Sequence, residues 1–154
     1  MSFNLVGLSM KNKHGKVASV SSQDVSDILG ELRKPVRLAS ISSNGFPLIS
    51  TLWFLYEDEK FWCITQEKTI LRSNLFRNPR CAFEIALDKS RFKLLRGQGT
   101  AELKLSEGPR VTELMIDRYM DDTDGPVAKA LRAQIPTEYA LSLIHISEPT
   151  RRTP

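Results

Sequence analysis

Few residues in this chain are of the kinds that carry covalent or metal chemistry. Of its histidines, His14 lies in a polar N-terminal stretch and His145 in an anomalous C-terminal one. A histidine-centred triad or metal site is thereby excluded. No G-x-S-x-G elbow, P-loop, H-E-x-x-H or G-x-G-x-x-G occurs. Cys63 and Cys81 lie in the hydrophobic runs "FWCIT" and "RCAFEIA", where buried, reduced thiols are expected, and no cysteine spacing suggests zinc. Glu84 sits among apolar residues, either as a perturbed carboxylate or as a solvent-facing one. Arg96 in "LLRGQG" is a better candidate for ligand contact. Gly97 and Gly99 beside it suggest a bulge or a close approach by another backbone or ligand, and glycine lets a planar group come near.

The chain has 154 residues, 41% hydrophobic and 26% charged, which suits one compact domain. Leu141–Arg151, "LSLIHISEPTR", matches residue for residue a translated transposase end-adapter of the kind used to prepare sequencing libraries. The organisation expected is therefore an N-terminal arm (1–20), a domain (21–140) and a non-native tail (141–154), with the native C-terminus replaced. The net charge is +4, and removing Arg151, Arg152 and Glu148 leaves +3. So small and dispersed a surplus gives no basic face for nucleic acid. No signal peptide and no apolar run of about 18 residues appears, so no membrane partner is expected and the cytoplasm is the natural compartment.

The elements that must position any site follow from periodicity. "SSQDVSDILGELRKP" predicts a helix capped by Ser21 or Ser22, with Val25, Ile28, Leu29 and Leu32 as its apolar stripe and Pro35 as its stop. "VRLASIS" and "FPLISTLWFLYE" predict a hairpin about Asn44-Gly45, whose positive φ angles make the turn. "KFWCIT" continues as a third strand, and "KTILRSNLFRNP" is a helix stopped at Asn78-Pro79. "RCAFEIAL" and "FKLLRGQGTAELKL" are strands, "SEGPRVTELMIDRYM" and "GPVAKALRAQI" helices, and "TEYAL" begins a last strand. "YALSLIHIS" alternates well enough to carry that strand to about Ile146, with Ser147–Pro154 trailing beyond it. The fold class is mainly β: a small β-barrel with peripheral helices.

Six features between Leu32 and Leu105 carry a family resemblance: a strand ending in Ala39-Ser40, the turn Gly45-Phe46-Pro47, the apolar strand "LWFLY", an aromatic strand ending in Thr65, "NLFRNPR", and Gly99-Thr100-Ala101. In this order they resemble the pyridoxamine 5′-phosphate oxidase-like family of FMN-binding split β-barrels. The resemblance implies a homodimer with the flavin at the subunit interface. It places the isoalloxazine edge against the backbone around Leu52, Trp53 and Phe54, and the phosphate at the end of the third strand and the start of the next helix. Thr65 matches the family's threonine, and Thr69 stands where a phosphate-binding serine is usual. Helix N-terminal N–H groups and hydroxyls favour an anion.

The chain also departs from that pattern. Ser50 and Leu55 replace an arginine and a lysine of the best-known oxidases, Ile70-Leu71 replaces Arg-Lys after the serine position, and Leu94 replaces a flavin-contacting glutamine. Phosphate charge must then come from Lys68, Arg72, Arg37 or Arg96, each of which also reads as a solvated surface charge. Trp53 and Trp62 stack near a flavin or pack a core or interface. The arginine and tryptophan with which the vitamin B6 oxidases hold their phosphorylated substrate have no counterpart. Members of the wider superfamily bind the deazaflavin F420 or handle haem. The implied function is an FMN-dependent oxidoreductase acting on a small molecule. The alternatives are a non-catalytic carrier of flavin, F420 or haem, and an interaction domain with an empty barrel.

Overall fold

The computed structural model describes residues 9–11, 17–19, 22–87, 94–135 and 138–144. His14, Ser21, the Val25 side chain and Ser147–Pro154 lie outside what is described. Among the described residues nine strands form one antiparallel sheet: β1 (Ser9–Lys11), β2 (Val17–Ser19), β3 (Val36–Ile41), β4 (Pro47–Leu52), β5 (Leu55–Glu57), β6 (Lys60–Gln66), β7 (Arg80–Ala86), β8 (Leu94–Lys104) and β9 (Glu138–Ile144). The helices are α1 (Ser22–Glu31), α2 (Ile70–Arg77), α3 (Gly108–Tyr119) and α4 (Pro126–Gln134).

The main strand order is β4-β3-β7-β8-β9-β6-β5. The first and last strands of that order, β4 and β5, are joined by Trp53 and Phe54 alone, so the sheet curls until its two ends meet at that link. This is the split barrel, closed by the chain instead of by a ladder of hydrogen bonds. The single strand expected from Phe46 to Glu57 is thus two strands with different partners: β4 pairs with β3, and β5 with β6. Strand alternation builds the core. Val36 and Leu38, Phe61 and Cys63, Phe83 and Ile85, and Leu95 all point inward, and Leu29 of α1 and Leu71 and Leu75 of α2 cover them. Phe61 sits at the centre, its ring 4.7 Å from Phe83, 5.0 Å from Tyr56 and 5.7 Å from Phe54. Each such fully buried side chain stabilises by about 1.5–3 kcal/mol.

Other details differ from the sequence reading. Only Gly45 (φ +84°) has positive φ in the β3–β4 turn. Its N–H donates to the Ser42 carbonyl at 3.0 Å, so Asn44 stays in ordinary conformation. Gly97 and Gly99 form no bulge: β7 and β8 stay in unbroken register from Arg80↔Thr100 to Ala86↔Leu94. The glycines lie opposite Phe83 and Cys81 in that register. Residues 1–20, read as an arm, include β1, which lies along Leu95–Arg96 of β8. β9 covers β8 only from Thr100 to Lys104, and β1 pairs part of the edge that would otherwise stay open. Leu141–Ile144 supply the second half of β9, paired with β6 and β8.

Candidate cofactor and substrate site

The break between β4 and β5 is held from a distance. Tyr119, at the end of α3, places its hydroxyl 2.9 Å from the Phe54 carbonyl and accepts the Phe54 N–H at 3.3 Å. Its ring stacks on Trp53, with centroids 4.9 Å apart and planes within 3°. The preceding residue, Arg118, donates at 2.6 Å to each of the carbonyls of Leu29, Gly30 and Leu32, satisfying the C-terminal end of α1, whose own last turn has no basic residue. Phe54 itself is fully buried, and its backbone N–H and carbonyl are both engaged by Tyr119.

Beside this link lies a cleft of about 260 Å³. Thr51, Leu52, Trp53 and Ile64 line it from the sheet. Thr112, Met115 and Ile116 of α3 and Leu131 of α4 line it from the helices. Among the described residues none of the lining groups is charged. Trp53 is 40% exposed, although one of its faces is covered by Tyr119.

The second feature is the start of α2. Thr69 is its N-cap: its Oγ1 accepts the Arg72 N–H at 3.2 Å, lies 2.9 Å from the Gln66 carbonyl and is 2.7 Å from Thr65 Oγ1. One proton arrangement satisfies all three contacts: Thr65 donates to Thr69, and Thr69 donates to Gln66. The Thr69 hydroxyl is then saturated, and Thr65, 5% exposed, retains only acceptor capacity. The donors this turn can offer an anion are the N–H groups of Ile70 and Leu71, which no helical carbonyl precedes, and the exposed Lys68 ammonium.

Arg37 and Arg96 stand elsewhere. The register puts Arg37, Glu84 and Arg96 side by side across β3, β7 and β8 on the outer face. Glu84 takes one arginine on each oxygen, Arg37 at 3.3 Å and Arg96 at 2.7 Å. Glu84 is therefore a cross-strand pairing residue. "NLFRNPR" docks α2: buried Asn74 donates to Ser40 Oγ at 3.2 Å, and Arg77 donates to Asn74 Oδ1 at 3.0 Å and to the Ile41 carbonyl at 3.2 Å.

Of the residues the sequence singled out, Leu52 and Trp53 meet at the cleft, Thr65, Lys68, Thr69 and Arg72 gather at the α2 turn, and Ser50 is half-buried on β4. Arg72 lies over the Phe76 ring, 5.0 Å from its centroid. Trp62 packs against Val111 and Met115 with Arg110 over its ring. Sequence reasoning missed Arg118, Tyr119 and the helical wall of the cleft. Burial pushes the Cys81 thiol up to about 12 and the Cys63 thiol higher still, so neither is poised as a nucleophile.

The family profile described as pyridoxamine 5′-phosphate oxidase matches residues 26–146. No curated protein matches the chain. Among solved structures, an F420 reductase is 18% identical, with 79% of this chain and 94% of that one covered and a TM-score of 0.65. A pyridoxamine 5′-phosphate oxidase-related, FMN-binding protein of Nostoc punctiforme is 15% identical, with 82% of each chain covered and a TM-score of 0.57. A haem storage protein of Vibrio cholerae is 18% identical, with 84% and 90% covered and a TM-score of 0.57. With the split barrel and the family profile in agreement, this chain belongs to the pyridoxamine 5′-phosphate oxidase family.

Proposed function

We propose that the protein is a homodimeric, cytoplasmic, FMN-dependent oxidoreductase acting on a small molecule. The observation that carries this reading is the strand interruption at Trp53–Phe54, where Trp53 leaves the β ladder beside an apolar cleft and could form a flat wall for a flavin ring. The residues fit the group in two respects. The Leu52–Trp53 segment, pinned by Tyr119, offers a rigid edge for the ring, and the α2 turn offers the Ile70 and Leu71 N–H groups and Lys68 to a phosphate. A bound flavin supplies the electron transfer. The chain supplies orientation, exclusion of water by the cleft's apolar lining, and charge at the phosphate.

A second reading, a carrier of flavin, F420 or haem without turnover, is favoured by the saturated Thr69 hydroxyl and by the loss of basic residues at Ser50 and Leu55. The names of the structural neighbours span all three cofactors. Loading with FMN, desalting, and then adding NAD(P)H with candidate acceptors separates the two readings. Reduction of the flavin and its reoxidation by an acceptor supports the enzyme. Retained flavin that never reduces supports the carrier.

A further inference from the structure

We propose that Arg118 is a positioning residue for the ring site: acting through Tyr119, it makes the docking of α1 set the position of Trp53. The proposal rests on the flavin reading for its consequence, and not for the coupling itself.

Arg118 holds one end of a helix. Its two terminal nitrogens donate to the carbonyls of Leu29, Gly30 and Leu32, each at 2.6 Å, while its buried Nε–H has no partner. Among the described residues no carboxylate pairs with it, so the carbonyl end of α1 is its counter-charge. The guanidinium also lies beside the rings of Phe54 and Tyr119, 5.8 and 5.6 Å from their centroids.

The next residue holds the seam of the barrel. The Tyr119 hydroxyl donates to the Phe54 carbonyl at 2.9 Å, accepts the Phe54 N–H at 3.3 Å and lies 3.3 Å from the Lys34 carbonyl. One oxygen thus ties the β4–β5 link to the chain entering β3. The same side chain stacks on Trp53, which lines the cleft. Successive helical side chains diverge, so residues 118 and 119 reach two different neighbours from a single turn of α3. With no flexible segment between them, a shift of α1 against α3 moves Tyr119 and with it Trp53. No described residue of α1 lines the cleft, so its hold on the site is indirect.

Charge and shape are separable at this position. Lysine keeps the positive charge that suits the end of α1. Its three donors radiate from one atom, however, and do not reproduce a planar fork across three carbonyls.

The test compares Arg118→Lys with Ile85→Val, a core truncation that destabilises the fold away from the cleft and from Arg118. Trp53 is read by acrylamide quenching and near-ultraviolet circular dichroism in a Trp62→Phe background, which leaves it the sole tryptophan. FMN affinity is titrated with Trp62 in place. Arg118→Lys should raise Trp53 quenching, erase the near-ultraviolet signal of the Trp53–Tyr119 stack and weaken FMN about tenfold, within the usual range of such couplings. Ile85→Val should lower the melting temperature and leave quenching and FMN affinity unchanged. A further measurement needs no variant. Coupling is reciprocal, so FMN loading of the parent chain should slow amide hydrogen exchange at Leu29–Leu32 by about the same tenfold. Trp53 quenching that ignores Arg118→Lys, equal losses in Ile85→Val, or exchange at the end of α1 that ignores bound FMN overturns the proposal. Trp53 freed by Arg118→Lys with FMN affinity unchanged also overturns it. A parent chain that rejects FMN while Arg118→Lys still frees Trp53 sinks the flavin reading alone and leaves the Arg118–Trp53 coupling standing.

Discussion

Replacing Thr69 by alanine should destabilise the fold whether or not a cofactor is bound, because the Thr69 hydroxyl is committed to the protein. The substitution removes the α2 N-cap bond to the Arg72 N–H, a loss of about 1 kcal/mol. It also strands the Thr65 hydroxyl, which is 5% exposed and 2.7 Å from Thr69 Oγ1; an unpaired buried hydroxyl costs about 1–3 kcal/mol. The sum is about 2–4 kcal/mol, a fall in melting temperature of roughly 4–16 °C for a domain of this size. Adding Thr65→Val removes the stranded group, so the double variant should regain about 1 kcal/mol, and Thr69→Ser should stay near the parent. Urea denaturation of the four proteins, extrapolated linearly to water, reads these differences. A Thr69→Ala loss below about 0.5 kcal/mol, or a double variant worse than the single, would refute the reasoning and return the hydroxyl to a ligand role.

Other outcomes follow from the same geometry. Cys63 and Cys81 should resist thiol reagents at pH 8 and react only on unfolding, and persistent fast labelling would contradict their burial. Below pH about 9 both folded and unfolded chains hold these protons. Above it the unfolded chain releases them while the native state keeps them, so stability should fall by about 1.4 kcal/mol per pH unit for each thiol until the raised native values are reached. Tyr56, raised to about 12 by burial and then by Glu59, adds to the same alkaline loss above its ordinary value. Asp58 and Glu59 hold φ of 51° and 58° in the β5–β6 turn, so Glu59→Gly should stabilise by about 1 kcal/mol in the same urea assay, and a loss would mean the turn is not strained. Tyr119→Phe should cost about 1 kcal/mol by leaving the Phe54 N–H without its hydroxyl. It should weaken flavin retention as well, while an unchanged flavin affinity would detach Tyr119 from the site.

The sequence exposed those parts of the fold that are governed by local pattern. Alternation gave β7 and β8, and Asn78-Pro79 marked the end of α2 within a residue or two. The break at Trp53–Phe54 was hidden because Leu52, Trp53, Phe54 and Leu55 are all apolar, so alternation fades where the chain changes partner. Arg37 and Arg96 looked free because their shared partner, Glu84, is 47 and 12 residues away and only register brings it between them. Thr69, read in the sequence only as a hydroxyl at the phosphate-binding serine position, is the N-cap of α2, a role that a hydroxyl directly before a helical stripe signals. Tyr119 and Arg118 act 65 and more residues away in sequence, where no local pattern points to them.

The central claim is that the Leu52–Trp53 segment and the α2 turn hold a flavin. Its most direct test is equilibrium titration of the purified chain with FMN and, separately, with F420, followed by desalting and a visible absorption spectrum. The account predicts one flavin retained per chain, quenched tryptophan emission, and affinity reduced about tenfold by Lys68→Glu, which inverts the charge at the α2 turn. A protein that stays colourless with both cofactors, or whose retained flavin ignores Lys68→Glu, contradicts it.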